Sequence, residues 1–131
     1  MDLSEPQVMG ILNVTPDSFY AGSHGVTEGY IIDRLHQIMN EGASIIDIGA
    51  CSTRPGADEV SIEEEMSRLR MGLELIRKHR PDAIVSVDTY RADVAKMCVE
   101  EYGAAIINDI SAGQMDEQMF ATIARLGIPY I

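Results

Sequence analysis

The sequence is poor in cysteine, poor in cations and without any long apolar run, and each shortage removes a class of function. Its two cysteines, Cys51 and Cys98, are far apart and show no CxxC or CxxH spacing. That argues against a zinc site or a disulfide scaffold and makes a reducing cytoplasm the expected compartment. Ten Lys and Arg stand against 21 Asp and Glu, a formal net charge of −11. Such a balance repels phosphate backbones and anionic lipid surfaces, so neither nucleic acid nor a membrane is an expected partner. No apolar stretch approaches the roughly 20 residues of a membrane span, and the opening MDLSEP lacks the basic and apolar parts of an export signal. G-x-S-x-G, P-loop and G-x-G-x-x-G patterns are also missing, which removes most support for a serine nucleophile or a Rossmann cofactor. His24, His36 and His79 have no metal-ligand spacing and read as solvated.

What remains is ordinary for one globular domain: 131 residues, 46% hydrophobic and 24% charged. Five short continuous apolar runs, at 8–14, 44–49, 83–87, 104–107 and 128–131, read as buried parallel strands. Helical periodicity fills the gaps. The first helix, 27–41, puts Ile31, Leu35, Ile38 and Met39 on one face and stops at Gly42. In the second, Ser61 and Glu64 form a capping box, Glu63 to Glu65 suit the positive end of the helix dipole, and Arg77, Lys78 and Arg80 suit the other end. Met66, Leu69, Leu73 and Ile76 form its buried stripe, and Pro81 ends it. A third helix, 91–102, buries Val94, Met97, Cys98 and Tyr102. A fourth, 116–126, buries Met119, Phe120 and Ile123.

The order βαβαβαβαβ with short connections means a parallel sheet flanked by helices. Length suits a five-stranded doubly wound sheet, since a (β/α)₈ barrel needs about 250 residues. The strand ends point the other way. Asn13, Asp47, Asp88 and Asn108 with Asp109 lie at the C-terminal ends of consecutive strands. Only a barrel brings every such end to one mouth, so the expected fold is α/β, the N-terminal half of a (β/α)₈ TIM barrel with strands in the order 1-2-3-4-5. The chain stops at Ile131 inside a strand pattern, and 1–131 is therefore expected to be one incomplete domain, truncated in or after the fifth strand.

Each strand-end Asp or Asn could serve merely as a helix cap or turn residue. Together, Asp47, Asp88 and Asn108 would set two carboxylates and an amide in one concavity, an arrangement suited to a heterocycle with donors and acceptors on its edge. Asn13 could ligate Mg²⁺ or hydrogen-bond a substrate, or serve only as a turn residue before Pro16. Ser52, Thr53, Arg54, Pro55 and Gly56 suit an anion such as pyrophosphate, through hydroxyls, a guanidinium and a glycine turn; Arg54 could equally salt-bridge at the surface. The long first loop, TPDSFYAGSHG, suits a mobile lid. Cys51 lies near these groups, although most such thiols are only packed.

MGILNVTPDSF at 9–19, IDIG-x-x-STRPGA at 46–57, SVDT at 86–89 and INDIS at 107–111 resemble, in this order and spacing, dihydropteroate synthase. The resemblance covers essentially the whole chain. It implies a (β/α)₈ barrel that joins 6-hydroxymethyl-7,8-dihydropterin diphosphate to p-aminobenzoate, releasing pyrophosphate, in a family targeted by sulfonamides. By the same resemblance Asp88 and Asn108 are pterin ligands, Asp17 and Ile110 also contact substrate, and Asn13 stands at the Mg²⁺ and pyrophosphate position. Asp47 is a second site carboxylate, Thr53 and Arg54 organise the pyrophosphate and p-aminobenzoate pocket, and Phe19 helps to close it. Two positions depart from the family pattern. The DSFSDGG usual in the first loop is replaced after Phe19 by Tyr20, Ala21 and Gly22, and Cys51 stands where Glu is frequent. The family's later Asp, Lys and Arg-x-His groups, and the last helices of its homodimer, lie outside this sequence. The fragment is therefore expected to be inactive by itself and to self-associate through open barrel edges. The alternative resemblance is to the pterin-binding domain of methyltetrahydrofolate methyltransferases, which share the barrel and similar strand ends.

Overall fold

The computed structural model describes residues 2–15, 27–53 and 55–131. Four strands, β1 (Met9–Asn13), β2 (Ile45–Gly49), β3 (Ile84–Asp88) and β4 (Ile106–Asn108), alternate with four helices. The helices are α1 (Glu28–Asn40), α2 (Ile62–His79), α3 (Ala92–Tyr102) and α4 (Met119–Leu126). All pairings are parallel and the sheet order is β1-β2-β3-β4, with no reversal. That order excludes a doubly wound sheet and is the arc found in half of a (β/α)₈ barrel.

The expected fifth strand is present only as a parallel bridge between Ile107 and Tyr130. Ile131 N donates to Ile107 O at 2.9 Å, and Ile107 N donates to Pro129 O at 3.1 Å. Pro129 has no N–H with which to extend this ladder, which is why it stays short.

One face of the sheet packs on the helices. Leu12, Ile46, Ile48, Val87 and Ile107 point there and meet Ile31, Leu35, Leu69, Leu73, Val94 and Cys98 in one core. The approach is close: a Cβ on Gly10 would lie 2.1 Å from Ile38 Cγ2, and one on Gly72 would lie 2.5 Å from Ile48 Cδ1. Bare backbone at these two positions lets α1 and α2 settle onto the sheet. Residues of the opposite parity line the other face, where Ile11 and Ile84 remain partly exposed.

The helix starts show where sequence patterns hold. Thr27 accepts from Tyr30 N and Ser61 from Glu64 N, each at 3.2 Å. The capping box is only half formed, because the Glu64 carboxylate pairs with Arg68 Nε at 2.9 Å instead. α4 begins at Met119 rather than 116, since Asp116 is engaged in a turn, accepting from Gln118 N. Phe120, expected in the core, is 60% exposed and lies edge-on to Tyr130 with 5.8 Å between ring centroids. Nor are His36 and His79 simply solvated: both are half-buried, their rings edge to face at 6.1 Å.

Candidate functional site

Register places the strand-end residues more exactly than their sequence positions do. Asn13 pairs with Gly49, Gly49 with Asp88, and Asp88 with Asn108, so these four form one row across the C-terminal end of the sheet. Register partners in a parallel sheet point to the same face, and here it is the one turned away from the helices. One layer below lie Ile11, Asp47, Ser86 and Ile106. Gly49 matters in the upper row. A Cβ there would sit 3.3 Å from both Cβ and Oδ2 of Asp88, so its absence makes the space that the Asp88 carboxylate occupies.

Asp47 and Asn108 are joined. Asn108 Nδ2 donates to Asp47 Oδ2 at 3.1 Å, passing over β3. The other Asp47 oxygen, Oδ1, and the neighbouring Ser86 Oγ are buried and find no partner among the described residues. Leaving buried polar atoms unpaired costs about 1–3 kcal/mol each, and such atoms mark places where water or a ligand group completes the network. Asp88 is pushed up to about 6, chiefly by burial and then by the negative charges of Asp47, Glu65 and Asp109. A carboxyl so poised is readily ionised by a ligand that offers it N–H donors.

Asp109, beside Asn108, has a structural task. It accepts from Tyr130 Oη at 2.6 Å, Ser111 Oγ at 2.7 Å, and the backbone N–H groups of Ser111 and Gly113 at 2.9 Å. Burial alone would raise this carboxyl, yet these donors outweigh burial and hold it below the usual range. The loop it organises carries Ala112 at φ 51°, a left-handed backbone that alanine adopts only under constraint. From the same loop Asp116 Oδ2 accepts from Ala92 N at 2.8 Å, supplying the N-terminal cap that α3 lacks in its own sequence.

Thr53 and Ile110 lie elsewhere. They line an open cleft of about 530 Å³ between the loop after β2 and the loops after β3 and β4, together with Ser52, Tyr90, Ser111 and Met115. The expected site residues thus fall into two neighbouring groups, a polar row on the sheet and a cleft at its rim. Asn13 is exposed at the end of the row. Asp17, Phe19 and Arg54, with positions 16–26 of the loop expected to act as a lid, lie outside the described residues. Cys51 borders the cleft, but burial and then the nearby Glu65 push its thiol up to about 12, so it is no nucleophile at neutral pH. Among the described residues no group of three His, Cys, Asp or Glu side chains is arranged to hold a metal ion.

A family model described as pterin binding enzyme matches residues 9–131, which takes in the whole row and the cleft. The chain belongs to this family. The chain is 44% identical over 122 residues to the folic acid synthesis protein fol1 of Pneumocystis carinii, covering 93% of this chain and 16% of that one. It is 43% identical over 124 residues to the dihydropteroate synthase of Streptococcus pyogenes serotype M1, covering 95% and 46% respectively. The solved dihydropteroate synthase of Xanthomonas albilineans with 4-aminobenzoic acid superposes with a TM-score of 0.85 at 36% identity, over 99% of this chain and 47% of that one. The chain therefore spans about half the length of the dihydropteroate synthases it matches.

Several residues of this chain escape a reading of sequence alone. Glu65 looks like a helix-dipole residue, yet it is fully buried. Gly49 and Ser86 fall inside the IDIG and SVDT motifs, but their roles come from register neighbours on other strands. No helix among the described residues is long and apolar enough to cross a membrane.

Proposed function

We propose that this chain supplies the pterin-recognising part of a dihydropteroate synthase, which joins a dihydropterin diphosphate to p-aminobenzoate and releases pyrophosphate. The observation that carries the reading is the Asp88–Asn108 row with Asp47 behind it. An ionised carboxylate only accepts, so Asp47 obliges Asn108 to turn its NH₂ inward and leave Oδ1 toward the mouth. Asp88 and Asn108 then both offer acceptors to the N–H and NH₂ groups on the edge of a pterin. Such a paired recognition is directional and poorly imitated by water.

On this reading the diphosphate lies toward the loop after β2, where the Thr53 hydroxyl and Arg54 offset the charge that develops on the leaving group. The cleft beside Thr53 takes the arylamine, which needs positioning more than activation. Asp17 and Phe19 would act from the first loop. No protein nucleophile is required, in keeping with the protonated Cys51 thiol.

Mg²⁺ fits here only in a particular way. Asn13 offers one neutral oxygen at an exposed strand end, and no carboxylate stands beside it in the row, since its register partner is Gly49. That donor set suits a Mg²⁺ ion carried mostly by diphosphate oxygens and water, with Asn13 completing the shell. The ion would supply charge neutralisation at the leaving group. The two free thiols, Cys51 and Cys98, fit a reducing compartment such as the cytoplasm.

Because the chain spans about half of its relatives' length, ligand binding rather than turnover tests the proposal. Calorimetric titration should show binding of 6-hydroxymethyl-7,8-dihydropterin diphosphate with Mg²⁺ and weaker or no binding of methyltetrahydrofolate. The reverse preference would replace this reading with that of a folate methyl-transfer domain.

A further inference from the structure

Glu65 stands on the first turn of α2 and is fully buried, where a dipole-complementing carboxylate would normally remain in water. Both its oxygens are used. Oε2 accepts from Thr89 Oγ1 at 2.8 Å and Oε1 from Arg91 Nη1 at 2.9 Å. Arg91 is itself largely buried, and its other arm, Nη2, donates to the carbonyl of Val60. Thr89 Oγ1 in turn accepts from Arg91 N at 3.2 Å. At the opposite end of the same loop, Arg68 Nη1 donates to Ala50 O at 3.1 Å.

The segment from Cys51 to Val60 is thus fastened at both ends to α2 and to the residues following Asp88. A buried ion pair adds little net stability against an apolar alternative of equal volume, so its presence calls for a geometric reason. We propose that Glu65 and Arg91 are a positioning pair that fixes the 51–60 loop, and with it the Thr53 hydroxyl, against the end of β3. This rests on the reading of that loop as the diphosphate-binding element. The bidentate fork of Arg91 is what reaches two elements at once, and a lysine at 91 could hold Glu65 or Val60 but not both in the same geometry.

The test uses Arg91→Lys and Glu65→Gln, with two ligands and one ligand-free measurement. Both variants should weaken binding of the dihydropterin diphosphate about tenfold while leaving 6-hydroxymethyl-7,8-dihydropterin, which lacks the diphosphate, within roughly twofold. Amide hydrogen exchange should quicken across 52–60 and stay unchanged in β2 and β3. Equal weakening of both ligands would reduce the pair to a general stabiliser and overturn the proposal. So would unchanged exchange across 52–60. If the unmodified chain binds neither ligand, the proposed function fails, and the exchange measurement alone then decides the pair's role in either direction. Should Glu65→Gln not fold, Arg91→Lys, which keeps the charge, carries the test.

Discussion

Asn108 reaches over β3 to donate its side-chain N–H to Asp47 at 3.1 Å, joining two strands that are not neighbours in the sheet. Two consequences follow from the chemistry of the partners. The Asn108 amide is held in one orientation, and the Asp47 carboxylate keeps a second oxygen buried beside the Ser86 hydroxyl, both without a partner among the described residues.

Asp47→Asn disturbs the first and relieves the second. The amide introduced by this substitution can donate, so the Asn108 side chain is free to turn and present NH₂ where the pterin edge also presents donors. Pterin affinity should fall by about 1–3 kcal/mol, while the melting temperature holds or rises because a buried charge has gone. Titration calorimetry beside thermal denaturation separates the two effects; unchanged affinity would remove Asp47 from the site.

Asp88 gives a pH signature. Its folded value of about 6 lies above the ordinary 3.8, so between about pH 4 and pH 6 the folded chain binds the proton more tightly than the unfolded one. Stability from this residue is therefore present at low pH and is lost as pH rises through 6. Asp88→Asn, which cannot ionise, should match the parent near pH 4 and melt a few degrees higher near pH 8. Parallel melting curves across this range would refute the burial assigned to the carboxyl.

Asp116 caps α3 from a loop more than twenty residues away, through Ala92 N. Asp116→Ala should cost about 0.5–2 kcal/mol in urea denaturation, the range for loss of an N-terminal cap. A change confined to α4, seen as faster amide exchange there with α3 unaffected, would show that the cap is local instead.

At Gly10 an added methyl would meet Ile38 Cγ2, a branch held close to the α1 backbone, at 2.1 Å. Gly10→Ala should therefore destabilise by about 1–3 kcal/mol. Gly72→Ala should cost less, since Ile48 Cδ1 is the far end of a side chain that can turn aside. Denaturant midpoints of the two variants check the ranking.

These cases also mark how far the sequence can be read. Continuous apolar runs ending in Asn13, Asp88 and Asn108 are enough to locate the parallel strands and the row they form, because strand ends in such sheets are where burial gives way to the mouth. Four helices are legible from periodicity, yet Phe120 falls on the apolar stripe and still lies outside the core, against Tyr130. Glu65 is hidden by a sufficient local explanation: three glutamates in a first turn suit the helix dipole, and nothing in one sequence says which of them meets Arg91. Gly49 and Ser86 are meaningful only beside Asp88 and Asp47, and register between strands some forty residues apart is a tertiary fact.

The central claim is that Asp88, set in a row with Asn108, anchors a pterin in this chain. It is tested most directly by calorimetric titration with the dihydropterin diphosphate and Mg²⁺, beside an Asp88→Ala variant shown by circular dichroism to be folded. The expected result is binding by the parent and at least a roughly hundredfold loss in the variant, as follows when a charge-assisted pair of hydrogen bonds is removed. Equal binding by both chains would contradict it.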